Sequence, residues 1–143
     1  MLPLGTGGTN FSDDFYRLRV NPFCRATLTV IIGWNERAKQ LIEILTVISP
    51  AKISIIDYSI KKLPISLIEV VHIKGHSMHD RVLEEAGIKK ASLVFITSDM
   101  HSTEHKSDSS SIIIFLAIKS LNPSAFTVVE ILSDTNINNA KRE

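Results

Sequence analysis

Short, continuously apolar runs alternate along the chain with longer segments in which apolar residues recur every three or four positions. The runs are rich in Val and Ile and end at Gly or at polar residues, a pattern typical of strands that are buried on both faces of a sheet. Five such strands are predicted, at Leu28–Ile32, Ile53–Ile56, Glu69–Ile73, Leu93–Thr97 and Thr127–Ile131.

The segments between the strands have the periodicity of amphipathic helices. In the first of them, Ala38, Leu41, Ile42 and Leu45 form one apolar stripe at helical spacing. Because each crossover is long enough for a helix, the alternation indicates an α/β fold: a parallel sheet in three layers, with helices on both faces. The predicted helices are Glu36–Ile48, Arg81–Ala86, Asp108–Leu121 and Asp134–Lys141, and a polar loop is expected at Ser98–Lys106.

Composition narrows the functions that such a fold could serve. The 143 residues suffice for one domain with a sizeable core, and 44% of them are apolar. The formal net charge of +1 gives no field that would attract a nucleic acid. The longest apolar run, Ile112–Ile118, is too short to span a bilayer, and Cys24 has no partner for an internal disulfide. We therefore expect a soluble chain in a reducing compartment.

The first residues differ in character from the rest. Residues 1–25 combine glycines and prolines without sustained periodicity. They predict a leader or linker, which is either flexible or joined to something upstream. The folded domain is then expected at residues 26–143.

One helix is apolar on every side. Over Ile112–Ile118 no polar face is left, so this helix must be buried on more than one side. A neighbouring helix of the same chain would suffice. Because the outer side of the helix at Glu36–Ile48 also carries Leu and Ile, we expect a homo-oligomer instead.

The turn after the first strand carries the candidate chemistry. It reads Gly33-Trp34-Asn35-Glu36-Arg37-Ala38, which keeps the first Gly and the third small residue of the G-x-G-x-x-G/A dinucleotide-binding pattern. Asn35 replaces the middle Gly and would crowd a pyrophosphate, although its amide could donate to a phosphate. Arg37 could reach a phosphate or point to solvent, and Trp34 could stack on a base or pack at the mouth of the site.

Polar residues follow two other strands at the same edge of the predicted sheet. Asp57 ends the second strand, near the offset of about 20 residues from the first Gly at which a carboxylate binds ribose hydroxyls. Alternatively, Asp57 caps the next turn with Ser59. Ser98 and Asp99 follow the fourth strand and lie at the carboxyl edge, where open α/β sheets bind ligands. These residues predict a nucleotide site.

Three longer motifs point to a family. They are GWN at Gly33–Asn35, V-L-x-x-A-G-I-x-x-A at Val82–Ala91, and A-I-K-S-L-N-P at Ala117–Pro123. In this combination the chain resembles RCK domains, also called KTN or TrkA-N domains, which regulate potassium conductance. The resemblance covers residues 27–142 and looks most like the cytoplasmic module of a bacterial single-pore potassium channel.

The resemblance implies a Rossmann-like, doubly wound sheet of strand order 3-2-1-4-5 and a role in gating without catalysis. It implies a site for NAD(H) or an adenine nucleotide (ATP, ADP or AMP), to which Tyr58, Gly75 and His76 also belong. It further implies dimers that assemble into a gating ring, up to an octamer, on a potassium-channel pore at the cytoplasmic face of the cell membrane. Family members continue into a sixth strand, expected to be truncated here, and a separate carboxyl-terminal lobe, expected to be absent.

Two positions depart from the family pattern. His76 stands where Asp usually follows Gly75, which removes an acceptor on the adenosine side. Some members hold calcium with three carboxylates; Asp108 and Glu130 match two of those places, but Leu132 takes the third. One carboxylate short, the pair is a weak candidate for a divalent cation, and no metal is expected. The alternative is that Glu130 ends a strand and Asp108 caps a helix.

Other readings of the same residues stay open. A regulatory subunit of a Trk-type potassium uptake system would share the fold, and hydrophobic segments encoded upstream would separate it from a channel. A small NAD-dependent oxidoreductase would need a proton-transfer group, for which Tyr16 and Tyr58 are badly placed, and a substrate lobe. His101 and His105 have a zinc-like spacing but fall in the predicted loop, where the spacing fixes nothing.

Overall fold

The computed structural model describes residues 28–48, 52–63 and 70–141, so the predicted leader lies outside the described residues. The strands in these ranges are β1 Leu28–Ile32, β2 Lys52–Asp57, β3 Val70–Lys74, β4 Leu93–Ile96 and β5 Phe126–Val129. The helices are α1 Glu36–Ile48, α2 Asp80–Glu85, α3 Glu104–Leu121 and α4 Asp134–Ala140, with a 3-10 helix at Ile88–Lys90.

All five strands form one parallel sheet in the order β3-β2-β1-β4-β5. Strand β1 is central, and Val30 lies between Ser54 of β2 and Val94 of β4. The chain winds outward from β1 to β3, then returns to β4 and winds the other way, so the winding reverses between β1 and β4. The predicted α/β class and strand order are confirmed.

Helices cover both faces of the sheet and create two cores. On one face, α1 places Ile42 and Leu45 against Ile31, Ile55 and Phe95. The core on the other face packs under α2, the 3-10 helix and α3, and is built from Val30, Ile32, Ile56, Leu83, Ile88, Val94, Ile96, Ile114 and Ile118. The alternation of β-branched side chains between these two cores explains why β1, β2 and β4 read as continuous apolar runs.

The two edge strands differ from the prediction of burial on both faces. Val71 in β3 is 55% exposed, and residues alternate between exposed and half-buried along β5. Both strands lie at the margins of the sheet, where each has only one neighbouring strand.

Two boundaries in the second half of the chain differ from the prediction by more than one residue. Helix α3 begins at Glu104 rather than Asp108, so the predicted loop at Ser98–Lys106 is shorter and ends at Thr103. The first turns of α3 are rich in Ser and carry no apolar stripe, which is why periodicity did not reveal them. Strand β5 ends at Val129 rather than Ile131, although the Glu130 amide still donates to the Ile96 carbonyl of β4 at 2.8 Å.

Candidate functional site

The turn after β1 is shaped by Gly33. Its φ is +91°, a conformation that favours glycine, and a Cβ atom there would lie 2.5 Å from Thr97 Oγ1 and 3.3 Å from the Thr97 carbonyl oxygen. The amide of Gly33 donates to the carbonyl of Ile56, at the end of β2, at 2.8 Å. The first Gly of the motif therefore lets the chain turn closely past the end of β4.

Asn35 precedes α1 and caps it. Its Oδ1 accepts the Ala38 amide at 2.9 Å, and its Nδ2 donates to the Ser98 carbonyl at 3.2 Å and to Glu130 Oε2 at 3.3 Å. This capping role accounts for an Asn where the dinucleotide pattern has Gly. Both donor positions of the amide are engaged, so a phosphate would have to displace one of these bonds to use it.

The first turn of α1 presents unpaired backbone donors. The amides of Glu36 and Arg37 have no acceptor among the described residues. A helix N-terminus with free amides carries a partial positive charge and favours an anion. Ala38, the small residue of the motif, is fully buried and lets α1 approach the sheet.

Asp57 connects the end of β2 to this turn. Its Oδ1 accepts hydrogen bonds from the Ser59 amide and hydroxyl, both at 2.7 Å, and from the Ile60 amide at 3.0 Å. Its Oδ2 accepts the Trp34 amide at 2.9 Å. The predicted cap on Ser59 is therefore present. Oδ2 keeps capacity for one more donor, which is what a ribose hydroxyl would need.

Two aromatic rings meet above the ends of β2 and β3. The rings of Tyr58 and His76 stack with centroids 5.0 Å apart and 14° between their planes. The Tyr58 hydroxyl donates to Asp99 Oδ2 at 3.3 Å. Partial burial, and then the Asp99 carboxylate, raise the pKa of Tyr58. A flat, partly exposed aromatic surface therefore lies beside the site.

Gly75 allows β3 to turn close to α2, because a Cβ atom there would lie 2.7 Å from Val82 Cγ2. The residue that follows, His76, is exposed at the rim of the cleft.

Asp99 lies on the opposite side of the cleft. Burial raises the pKa of Asp99, but hydrogen bonds from the His101 amide, the Ser102 hydroxyl and Tyr58 outweigh burial and leave the pKa lowered. Asp99 is thus ionised and shapes the loop that borders the site.

These features surround a cleft of about 180 Å³ at the carboxyl edge of the sheet. The start of α3 forms one wall, which the sequence did not predict; it is lined by Lys106, Ser107, Ser110 and Ser111. Ser98 is only 2% exposed, and its Oγ has no hydrogen-bond partner among the described residues. Since buried hydroxyls are normally paired, this atom points to a ligand or an ordered water.

Most of the predicted site residues come together at this cleft. Those that line it are Gly33, Trp34, Asp57, Tyr58, Gly75, His76, Ser98 and Asp99. Trp34 also packs against the core under α1. Three predicted residues do not line the cleft: Asn35 caps α1, Glu36 is exposed, and Arg37 forms an ion pair with Glu130 at 2.6 Å.

The weak metal candidates have separate partners. Asp108 accepts the Leu132 and Ser133 amides at 2.8 and 2.9 Å, whereas Glu130 bonds to Ser98, Asn35 and Arg37. In residues 28–48, 52–63 and 70–141 no three His, Cys, Asp or Glu side chains are grouped as metal ligands would be. The alternative that Asp108 caps its own helix was also wrong, because it lies inside α3 and binds the segment before α4.

The structure also revises the placement of the two histidines. His105 lies in the first turn of α3, while His101 belongs to the preceding turn, so their four-residue spacing does not put both on one helix face. A larger depression of about 380 Å³, between α3, β5 and α4, is lined mainly by apolar residues and contains none of the predicted site residues. The chemistry is therefore concentrated in the smaller cleft.

A parallel sheet of this order, with a polar cleft where its winding reverses, defines the Rossmann-like class of domains. Within that class, the chain belongs to the TrkA-N domain family, which matches residues 29–143. The resemblance to RCK and TrkA-N domains found in the sequence is confirmed.

A relative from Bacillus subtilis (strain 168) bears the name "Putative potassium channel protein YugO". The two are 41% identical over 115 residues, an alignment that covers 79% of this chain and 34% of that protein. The chain thus spans about a third of the length of this relative.

Solved structures of low sequence identity share the fold. The TrkA-N domain of the inner membrane protein ybaL from Escherichia coli has a TM-score of 0.68 at 14% identity, covering 82% of each chain. The GsuK RCK domain has a TM-score of 0.65 at 23% identity, and the human SLO3 gating ring has 0.65 at 18%. These two alignments cover 80% of this chain and 23% and 21% of those chains, respectively.

No helix in the described part of the chain has the length and apolar character needed to cross a membrane.

Proposed function

We propose that this chain is a regulatory domain of potassium transport that binds a nucleotide in the cleft at the carboxyl edge of its sheet. The observation that carries the proposal is that Asp57, the Tyr58 and His76 rings and the unpartnered Ser98 line one cleft, beside the N-terminus of α1. The free amides of Glu36 and Arg37 and the unpartnered Ser98 Oγ lie around the turn that Asp57 holds through the Trp34 amide. Anionic and hydroxyl groups of one ligand would satisfy both kinds of partner.

Each part of a nucleotide would have a partner of suitable chemistry. The N-terminus of α1 favours a phosphate, and Asp57 Oδ2 has capacity for a ribose hydroxyl. The stacked rings of Tyr58 and His76 offer a surface for a base. Lys106 at the far wall would favour a further phosphate. NAD(H) and the adenine nucleotides ATP, ADP and AMP are the ligands that this chemistry supports.

The proposed role is sensing, without catalysis. A bound nucleotide changes a conformation only if it binds one state more tightly than another, and binding alone suffices for that. Tyr58 and Lys62 do have the spacing of a Tyr-x-x-x-Lys proton-transfer pair. However, residues 58–63 are not helical, so this spacing does not place the two side chains on one face as a helix would. This weakens the oxidoreductase alternative.

The relative named as a potassium channel supports the channel reading over a Trk-type uptake subunit, which remains the second candidate. We propose that residues 1–25 form a linker and residues 26–143 a regulatory domain. We further propose that copies of this domain assemble on a channel pore at the cytoplasmic face of the membrane. The exposed apolar side chains on α3, Ile113 and Leu116, support assembly. Hydrophobic segments encoded upstream would distinguish the channel from the free-standing subunit.

Thermal-shift titration of the full chain with NAD+, NADH, ATP, ADP and AMP, with and without Ca²⁺, tests the nucleotide site. At least one nucleotide is expected to stabilise the protein, by about 2.7 kcal/mol at a concentration of 100 times its Kd. Asp57→Asn should abolish this stabilisation relative to its own ligand-free Tm, because the amide replaces an acceptor with a donor.

Two further variants separate binding from folding in this experiment. Ser98→Ala removes a hydroxyl without a partner among the described residues, so it should weaken the nucleotide-induced shift while leaving the ligand-free Tm nearly unchanged. Asp80→Asn, an exposed change at the start of α2, should leave both unchanged. Absence of a saturable shift with every nucleotide would overturn the proposed function.

A further inference from the structure

Four residues form a polar clasp beside the nucleotide cleft: Asn35, Arg37, Ser98 and Glu130. Glu130 Oε2 accepts the Ser98 amide at 2.8 Å and Asn35 Nδ2 at 3.3 Å, while Oε1 pairs with Arg37 Nη1 at 2.6 Å. Asn35 Nδ2 also bonds to the Ser98 carbonyl at 3.2 Å. The ends of β4 and β5 are thus joined to the N-terminus of α1 through one carboxylate.

The carboxylate in the clasp is held firmly. The Glu130 side chain is only 13% exposed, whereas the Arg37 side chain is 73% exposed. A carboxylate withdrawn from water needs donors around it, and removing them leaves a costly unpaired charge. Opening the clasp would break a hydrogen bond to a backbone amide, one to a side-chain amide and an ion pair together.

The position of the clasp matters because of the strand order. In a doubly wound sheet, the two halves of a dinucleotide lie on either side of the point where the winding reverses. Here that point is between β1 and β4. The cleft is bordered by Asp57 and His76 at the ends of β2 and β3, and it reaches past Ser98 to the start of α3. Arg37 and Glu130 of the clasp line a separate depression of about 360 Å³ at the ends of β4 and β5, so the clasp lies between the two.

The size of the cleft agrees with a ligand that does not extend past the clasp. Its volume of about 180 Å³ lies below the roughly 300–1,000 Å³ typical of ligand sites. A dinucleotide would either leave its second half outside the protein or break the clasp. A mononucleotide needs neither.

From this arrangement we propose that Glu130 is a specificity-determining residue, whose clasp separates the cleft from the depression at the ends of β4 and β5 and selects mononucleotides over dinucleotides. The inference rests on the proposed nucleotide site and narrows its ligand class. Glu130 thereby acts as a resident anion that holds Arg37 away from an incoming ligand. Asn35 has two roles, because it caps α1 and also bonds to Glu130 in the clasp.

The test is isothermal titration of the full 143-residue chain with AMP and with NAD+, on wild type and on Glu130→Ala. Wild type should bind AMP at least about tenfold more tightly than NAD+, a difference of about 1.4 kcal/mol. In Glu130→Ala, the affinity for NAD+ should rise until the two Kd values differ by about threefold or less, with AMP nearly unchanged. Glu84→Ala is the matched control, because it breaks an ion pair with Lys89 outside the cleft and should keep the wild-type ratio.

Glu130→Gln provides a second variant in case the alanine change disturbs folding. It keeps the shape and an acceptor for Ser98 but loses the charge that holds Arg37, so the ratio of Kd values should fall part of the way. Equal affinity of wild type for NAD+ and AMP would overturn the clasp while leaving the proposed function intact. A ratio of the NAD+ and AMP Kd values that stays at the wild-type level in both folded Glu130 variants would also overturn the clasp. Binding of neither AMP nor NAD+ to wild type would overturn the clasp, and failure of NADH, ATP and ADP as well would overturn the proposed function itself.

Discussion

At the scale of single residues, Gly33 fixes the geometry of the site. Gly33→Ala is expected to destabilise the protein, by about 1–3 kcal/mol from the positive φ alone, and further through the overlap of its Cβ with Thr97. Urea denaturation measures the loss. Gly87→Ala is a matched control, since it has a similar φ of +86° but meets only the methyl end of Leu28. A larger loss in Gly87→Ala than in Gly33→Ala would contradict the role given to Thr97.

At the scale of elements, Asp108 ties α3 to the start of α4. Its buried carboxylate accepts the Leu132 and Ser133 amides and Asn136 Nδ2, the last at 3.0 Å. Asp108→Asn replaces an acceptor with a donor and is expected to cost about 1–3 kcal/mol at pH 7. Chemical denaturation at a series of pH values measures this difference from wild type.

The pH dependence of that difference follows from the pKa of Asp108. Burial raises it, but the hydrogen bonds from Leu132, Asn136 and Ser133 outweigh burial, so the pKa in the folded protein is lowered. The stabilisation is therefore complete above the unfolded pKa of about 3.9 and is lost as the pH falls through the lower folded pKa. Exposed Asp80→Asn should show little effect at any pH. A difference for Asp108→Asn that is equally large at pH 7 and below the folded pKa would contradict the ionised contact.

At the scale of the whole molecule, the outer side of α3 is expected to join copies of the chain. Ile113 and Leu116 are 50% and 43% exposed and lie one helical turn apart. Replacing both with Lys would place two charges where apolar surface is expected to be buried. Sedimentation analysis should therefore show an oligomer for wild type and a species near 15.9 kDa for the double variant.

The control for assembly is Ser124→Lys, an exposed change in the turn before β5. It adds a charge away from α3 and should sediment as wild type does. A monomeric wild type, or a double variant that still assembles, would contradict an interface on this helix.

Much of the fold could be predicted because burial leaves a strong trace in the sequence. The central strands β1, β2 and β4 are packed on both faces, so nearly every residue is apolar and the strands are recognisable by composition. Helix α1 buries one stripe, and its bounds were predicted as the structure has them. The start of α3 was missed because Ser107, Asp108 and Ser111 are buried polar residues, whose partners lie elsewhere in the fold.

The candidate site was predictable to a lesser degree. Gly33 and Asp57 stand at strand ends with a spacing set by the βαβ unit, so their meeting follows from the order of the elements. Ser110, Ser111 and Lys106 were not foreseen, because hydroxyl and ammonium side chains at a helix start are common on any surface. Asn122 is similar: it was read only as a helix stop, yet its amide donates to the Ile88 and Ala91 carbonyls at 2.8 and 2.9 Å.

The sequence by itself determined the class of fold, the strand order through a family resemblance, and the edge of the sheet at which the candidate site lies. These follow from local periodicity and from the rule that parallel strands align their carboxyl ends. Only the tertiary structure decided that Glu130 joins Asn35, Arg37 and Ser98. Asn35 and Arg37 lie far from Ser98 and Glu130 in the chain, and all four are of ordinary types. Their contacts depend on where each strand ends and how each side chain turns, which no local pattern records.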